Sequence, residues 1–253
     1  AFPLTADKSL STVILAHGSL DTQSHDRNHD GFRDLPKTNQ INIANKWLWQ
    51  SLGGTQIRWG WKYVDENRLG GQTEYKKSMR EEMEQSLSTY GSHMDNTGVN
   101  AYFKLGTPVG AAVYDSETEE EYRSNIAFVA DYNYFKEDAY FGLNDYNGHD
   151  HAWWFNFSCA HYFSPRSSLI VGASASITNS DEKILNNVVL ADKERWSGMP
   201  HNKMNYVEPG VFAEYTFTKP DKFSFVLGLR GDWMGAKNID RAYVTGNGEY
   251  NNS

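Results

Sequence analysis

Apolar and polar residues alternate with a period of two along most of the chain. Phe223, Phe225, Leu227 and Leu229 alternate with Ser224, Val226, Gly228 and Arg230. Val207, Val211, Ala213, Tyr215 and Phe217 alternate with Glu208, Gly210, Phe212, Glu214 and Thr216. The same rhythm runs through 169–177, 126–134 and 57–63. Successive side chains of a strand point to opposite faces, so the rhythm predicts strands with one greasy and one wetter face. Nine segments follow it, at about 9–20, 39–50, 55–65, 98–106, 123–135, 153–163, 168–178, 206–217 and 222–234. Most are near the ten or so residues with which a tilted strand crosses a bilayer. Soluble strands are usually nearer five or six residues.

The ends of the greasy faces carry bulky aromatics: Trp47, Trp49, Tyr132, Tyr134, Trp153, Phe163, Tyr215 and Phe217. That placement fits the aromatic girdles of a membrane barrel, whereas a sandwich core favours Val, Ile and Leu. Short turns at 51–54, 164–167 and 219–221 alternate with longer loops, apart from 107–122, which is long where a short turn is due. The expected fold is therefore all-β, an antiparallel transmembrane β-barrel with its long loops on one side. Residues 1–253 read as one partial barrel domain with outer loops at about 21–38, 66–97, 136–152, 179–205 and 235–253. An odd strand count, no leader at Ala1 and a polar end at Ser253 predict a fragment. At roughly 28 residues per strand, a 22-stranded barrel would need about 620 residues. The polar positions of the strands, Arg58, Lys62, Asn125, Asp131, Glu208, Glu214 and Arg230, are the lumen-facing candidates.

Composition agrees with two opposed faces. Aromatics make up 14% of the chain, yet the mean hydropathy is −0.66, because greasy and wet positions cancel. No apolar run is long enough for a membrane helix, which leaves a barrel open. A net charge of −8, with no basic stripe, argues against nucleic acid as a partner. Cys159, the single cysteine, has no intrachain disulfide partner.

Three loop features invite chemistry. In "DRNHDGFRD", Asp26, Asn28 and Asp30 take positions 1, 3 and 5 of a calcium loop. Gly31 takes position 6, the Phe32 carbonyl 7 and Asp34 9. Lys37 stands where an EF-hand has its bidentate Glu, so an EF-hand is excluded, while a structural Ca2+ closed by another oxygen is expected. The rival reading is a metal-free loop rich in Asx turns. In 73–87, Tyr75, Met79, Met83 and Leu87 recur every fourth residue behind Thr73 as N-cap, predicting a loop helix that packs on its neighbours or serves as a lid. The run His149-Asp150-His151 sits in an extended stretch whose side chains diverge, so a solvated loop is expected there rather than a metal site. No nucleophile elbow, zinc-protease motif or phosphate-binding glycine loop is present, and the chain reads as a non-enzyme.

"DRNHDGFRDLP" followed by "INIANKWLWQ", together with "NAYFKLGTPV", "YFGLNDYNG", "SSLIVGAS" and "FAEYTFTKPDKFSFVLGLRGDW", resembles TonB-dependent outer-membrane receptors of the cobalamin and siderophore type. The resemblance covers nearly the whole chain and is strongest in the last stretch. It implies the middle portion of a 22-stranded barrel in the outer membrane of a Gram-negative bacterium. It also implies active import of a scarce, bulky small molecule, a corrinoid first and a ferric siderophore second. The expected partners are outer-membrane lipid, the TonB complex through a plug outside this segment, and a surface lipoprotein. The lumen-facing candidates would contact the plug or line the passage. In cobalamin receptors acidic outer loops bind calcium, and the Asp26 loop resembles them in role. Two rivals stand beside this reading. One is a soluble, calcium-dependent β-sandwich that binds glycan or protein; the other is an outer-membrane barrel enzyme or passive pore.

Overall fold

The alternating segments pair into one antiparallel sheet in a computed structural model that describes residues 2–7, 9–86, 89–186, 201–219, 222–244 and 250–252. The long strands are β2 (Leu10–Asp21), β3 (Lys37–Gln50), β4 (Gln56–Gly71), β5 (Gly91–Pro108), β8 (Asn125–Phe141), β9 (Asn144–Ser164), β10 (Ser167–Asn186) and β11 (His201–Lys219). The ninth crossing is split into β12 (Phe223–Asp232) and β13 (Gly235–Val244). Short pieces complete the set: β1 (Phe2–Pro3), β6 (Val113–Asp115), β7 (Glu120–Tyr122) and β14 (Tyr250–Asn252). The sheet order is β1-β2-β3-β4-β5-β8-β9-β10-β11-β13-β14, with β12 also on β11. Each long strand thus pairs with its neighbour in sequence, a meander of antiparallel hairpins.

The split in the last crossing has a local cause. Gly210 pairs with Asp232 and Val207 with Gly235, so β12 and β13 keep one register along β11. The gap lies opposite Pro209, which has no N–H to give to the ladder. The Pro209 carbonyl still accepts from the Trp233 amide at 3.0 Å.

The strands outrun the expected segments, and they do so at one end. β9 has 21 residues and β10 has 20. Residues 136–152, expected as an outer loop, are strand except for a two-residue turn at Gly142 and Leu143, with Gly142 at φ +59°. The expected loop 66–97 shrinks to 72–90, and 21–38 to 22–36. Most of the expected loop 179–205 is strand where it is described; 187–200 lie outside the described residues. In the opposite end the connections are tight, with 51–55 closed by Ser51 and Gly54 and β9 joined to β10 through Pro165 and Arg166. The long connection 109–124 on that side folds its own hairpin, β6 on β7.

The sheet has almost no core of its own. Large apolar side chains such as Ile14, Trp61, Phe103, Phe157, Val211 and Leu229 are exposed. The buried cluster is Tyr75, Met83 and Tyr140, with Leu69 and Met79 against it. It forms where the 72–90 loop docks on β4 and β8. A soluble sandwich would need a second sheet over the apolar face, and none covers it among the described residues.

Candidate functional site

The register assigns each side chain to a face, since residues paired directly across strands share one. Trp47 pairs with Trp59, Trp59 with Phe103, Phe103 with Ala130, and Ala130 with Phe155. Phe155 pairs with Ala175, and Ala175 with Pro209. Along β4 this face shows Ile57, Trp59, Trp61 and Tyr63; along β8, Ile126, Phe128, Ala130, Tyr132 and Tyr134. The band spans about nine residues of β8, close to the height of a bilayer's hydrocarbon core for a tilted strand. Aromatics stack along it: Trp47 lies 5.7 Å from Trp59, and Tyr132 lies 4.3 Å from Trp153.

Beyond Tyr63, Val99, Tyr134 and Trp153 the same face turns polar. Asp65, Asp95, Lys136, Asp138, His149, Asp181 and Lys203 follow, many of them paired. Lys136 bonds Asp138 at 2.5 Å, and Asp181 receives His201 at 2.8 Å and Lys203 at 3.7 Å. Burial alone would raise the Asp181 carboxyl, but the hydrogen bond and charge of His201, with Lys183 and His149, hold it below the usual range. His149 and His151 share this face while Asp150 points to the other, so the three do not converge. The Tyr132 hydroxyl and His151 Nδ1 are 2.8 Å apart.

The opposite face is concave and polar. Arg58, Lys62, Asn125, Asp131, Glu208, Glu214 and Arg230 all lie on it, as their pairings show. Hollows of about 770 and 540 Å³ open on its β2–β5 side. The first is lined by His17, Gln40, Asn42, Lys46, Lys62, Asn100 and Tyr102, among others. Arg58, Lys104 and Asp131 border the second. Asp131 accepts from Asn100 at 3.1 Å and from Asn133 at 2.5 Å. Arg230 bonds its strand neighbour Asp232 at 2.6 Å and reaches Ser174 Oγ across to β10 at 3.0 Å.

At the long-loop end the Asp26 loop uses its oxygens internally. Asp26 accepts from the Asp30 amide at 3.2 Å and the Gly31 amide at 3.1 Å. Asp30 accepts from the Phe32 amide at 2.8 Å and the Asn28 side chain at 2.9 Å, and Asp34 from the Arg27 amide at 2.7 Å. His29 at φ +60° and Gly31 at φ +84° make the sharp turns. Among the described residues, no three His, Cys, Asp or Glu side chains stand close enough to hold a metal ion. Order reaches this loop from elsewhere. The Arg33 guanidinium donates to the carbonyls of Thr73 and Tyr75 at 2.7 Å each and of Gly70 at 3.3 Å. The Arg33 amide reaches the Gly71 carbonyl at 3.0 Å, and the Thr73 amide the Gly31 carbonyl at 2.9 Å. Phe32, the expected carbonyl ligand, bridges to Gln72. Two loops distant in sequence are thereby zipped into one unit.

The helix of the 72–90 loop starts later than its sequence predicts. A 3₁₀ turn at Lys77–Met79 leads into α1 (Arg80–Ser86), and Lys76 at the N-cap makes no side-chain cap bond. Thr73 is not the cap, because its backbone is taken by the Asp26 loop. Leu87 lies outside the described residues. The helix packs on the continuation of the apolar-band face, away from the concave one: Leu69, His93, Tyr140 and Asp145 all share that side. Tyr75 seats over Gly91, where a Cβ would collide with its ring. Arg80 pairs with Asp145 and Glu84 and stacks 3.9 Å over the Tyr140 ring. Burial and the Tyr75 hydroxyl push the Tyr140 phenol up. Burial pushes the His93 imidazole down, with Lys77 and Arg80 adding to it and Asp95 opposing. The four-residue spacing announced the helix; its docking side is set by strand register, which no local pattern carries.

No family model and no curated protein matches the sequence. Among solved structures, a chain of the FpvAI–pyocin S2 complex matches with a TM-score of 0.66 at 12% identity. The match covers 99% of this chain and 35% of that one, so the chain spans about a third of the structure it resembles. At that identity the likeness establishes the fold: an antiparallel β-barrel segment, here an open sheet.

Proposed function

We propose that the chain is the middle portion of the barrel of a TonB-dependent receptor that imports a scarce small molecule across a Gram-negative outer membrane. One observation carries the reading. Among the described residues, nine sequential antiparallel crossings bear a continuous apolar band with aromatic edges on one face and a charged, concave wall on the other. Only a barrel in lipid leaves such a band uncovered at no cost, because hydrocarbon takes the place of a core. The matching fold and the sequence resemblance to the receptor family support the same assignment. By that resemblance the cargo is a corrinoid or a ferric siderophore. TonB acts through a plug outside the segment, and a surface lipoprotein is a candidate partner. A bound calcium ion at Asp26, Asn28, Asp30, Phe32 and Asp34 is a separate proposal. It rests on ligand spacing, and the cation would have to draw the carboxylates away from the amides they now hold.

Photolabelling in reconstituted membranes with a lipid-soluble carbene probe tests the assignment. Trp59, Phe128, Val171 and Leu227 should label, and Arg58 and Asn125 should not. The inverse pattern would refute it.

A further inference from the structure

We propose that the concave wall of β3–β5 binds a multiply charged organic anion through Lys46, Arg58, Lys62 and Lys104, arranged around the ring of Tyr102. The inference rests on the import reading and names the charge class of the cargo met along the wall.

The four cations are scattered in sequence, and register alone gathers them. Arg58 pairs directly with Lys104 across β4 and β5. Lys46 pairs with Gly60, which stands between Arg58 and Lys62 on the same face. Like charges placed directly opposite one another destabilise a sheet. Here no carboxylate offsets them: none of the four reaches one within 4.0 Å among the described residues, and all four are exposed, with Arg58 donating only to the neutral Gln56 side chain at 3.2 Å. The bordering acid, Asp131, is turned toward Asn100 and Asn133. On β4 the next acid of that face is Glu66, two face positions beyond Lys62. A chain of net charge −8 thus concentrates unneutralised positive charge on one patch of its concave wall.

The patch is also shaped. The Tyr102 ring lies over Gly60, where an added Cβ would come within 2.9 Å of it, and Lys104 Nζ sits 5.7 Å from the ring centre. The adjoining hollow of about 770 Å³ is of the size that holds a small organic ligand. Its Asn42 and Gln40 amides can donate hydrogen bonds beside the ammonium groups, while Leu15 offers apolar contact. An anion with several carboxylate or phosphate groups fits both features. It offsets the repulsion between Arg58 and Lys104, and it supplies the anionic acceptors that these cations lack among the described residues.

The test uses the full-length protein in detergent. It is titrated calorimetrically with citrate, and with triethyl citrate as the neutral counterpart, at low and physiological salt. Acetylation of Lys46, Lys62 and Lys104 is followed by mass spectrometry with and without citrate. Citrate should bind, weaken as salt rises, and shield the three lysines, while triethyl citrate should do none of these. The double variant Lys46→Gln, Lys62→Gln should weaken citrate binding at least tenfold, with heat-modifiable gel migration unchanged as the check on folding. The inference is overturned if citrate shields none of the lysines, or if they resist acetylation before citrate is added, which would mean another part of the chain already covers them. Either outcome leaves the lipid-labelling pattern of the apolar band intact, so a failure here is separable from a failure of the import reading.

Discussion

The Tyr75 hydroxyl meets the Tyr140 hydroxyl at 2.9 Å, with Met83 buried beside them, on the apolar-band side of the wall and not above the concave face. The 72–90 loop is therefore clasped to the flank of the sheet. Tyr140→Phe leaves the Tyr75 hydroxyl without that partner and should weaken docking by about 1–2 kcal/mol. Tyr75→Ala empties a fully buried site and should cost about 3–5 kcal/mol, enough to free the helix. Hydrogen exchange at residues 80–85 reads both. Unchanged protection in Tyr75→Ala would contradict the clasp.

Arg33 should hold two loops at once. Its guanidinium serves three carbonyls of the neighbouring loop, and bonds from a charged donor contribute about 1.5–3 kcal/mol each at most. Arg33→Ala should raise protease sensitivity in 22–36 and in 72–76 together. Loosening of one loop without the other would show that they are not one unit.

Acid should undo the clasp. His93 is 4% exposed and its imidazole is held below its ordinary 6.5. Asn67 and Lys77 face it, with Asp95, Arg80 and the Tyr140 ring around it. The released loop would bind the proton more readily than the docked one, so docking is at full strength above pH 6.5 and declines as pH falls below it. Proteolysis of the loop should accelerate between pH 7 and 5, and His93→Gln should flatten that dependence. A flat profile in the unmodified protein would refute the assignment.

The calcium proposal has a direct readout. Millimolar calcium should protect 22–36 from proteolysis, and Asp30→Ala should abolish the protection. No calcium effect on the unmodified protein would leave the loop ordered by Arg33 and its own amides alone.

Strands were legible where one face is apolar and the other polar. Within the band, Phe128 and Val129 differ little as residues, yet Ala130, Tyr132 and Tyr134 against Asp131 and Asn133 reveal the period. Past Tyr134, Lys136, Glu137 and Asp138 carry charge on either side and the alternation disappears. The stretch 136–152 therefore looks like a loop although its backbone pairs without a break. The lumen-facing candidates could be named singly from their alternation. The basic patch could not, because 46, 58, 62 and 104 become neighbours only after two hairpins have closed. The Asp26 loop shows a different limit: spacing locates oxygens, but not whether backbone amides or a cation hold them.

The long outer extension of β8 and β9 has a consequence for where recognition begins. From Tyr134 to Phe141 the wall continues for seven residues beyond the girdle, which at about 3.4 Å per residue and a tilt near 45° is roughly 15–20 Å of height. On the proposed reading, a solute approaching from outside would meet a hydrogen-bonded parapet well before it reached the lipid headgroups. In the proposed receptor, that flank of the entrance would have its outline set by strand pairing rather than by loops, which would place discrimination by size at the rim.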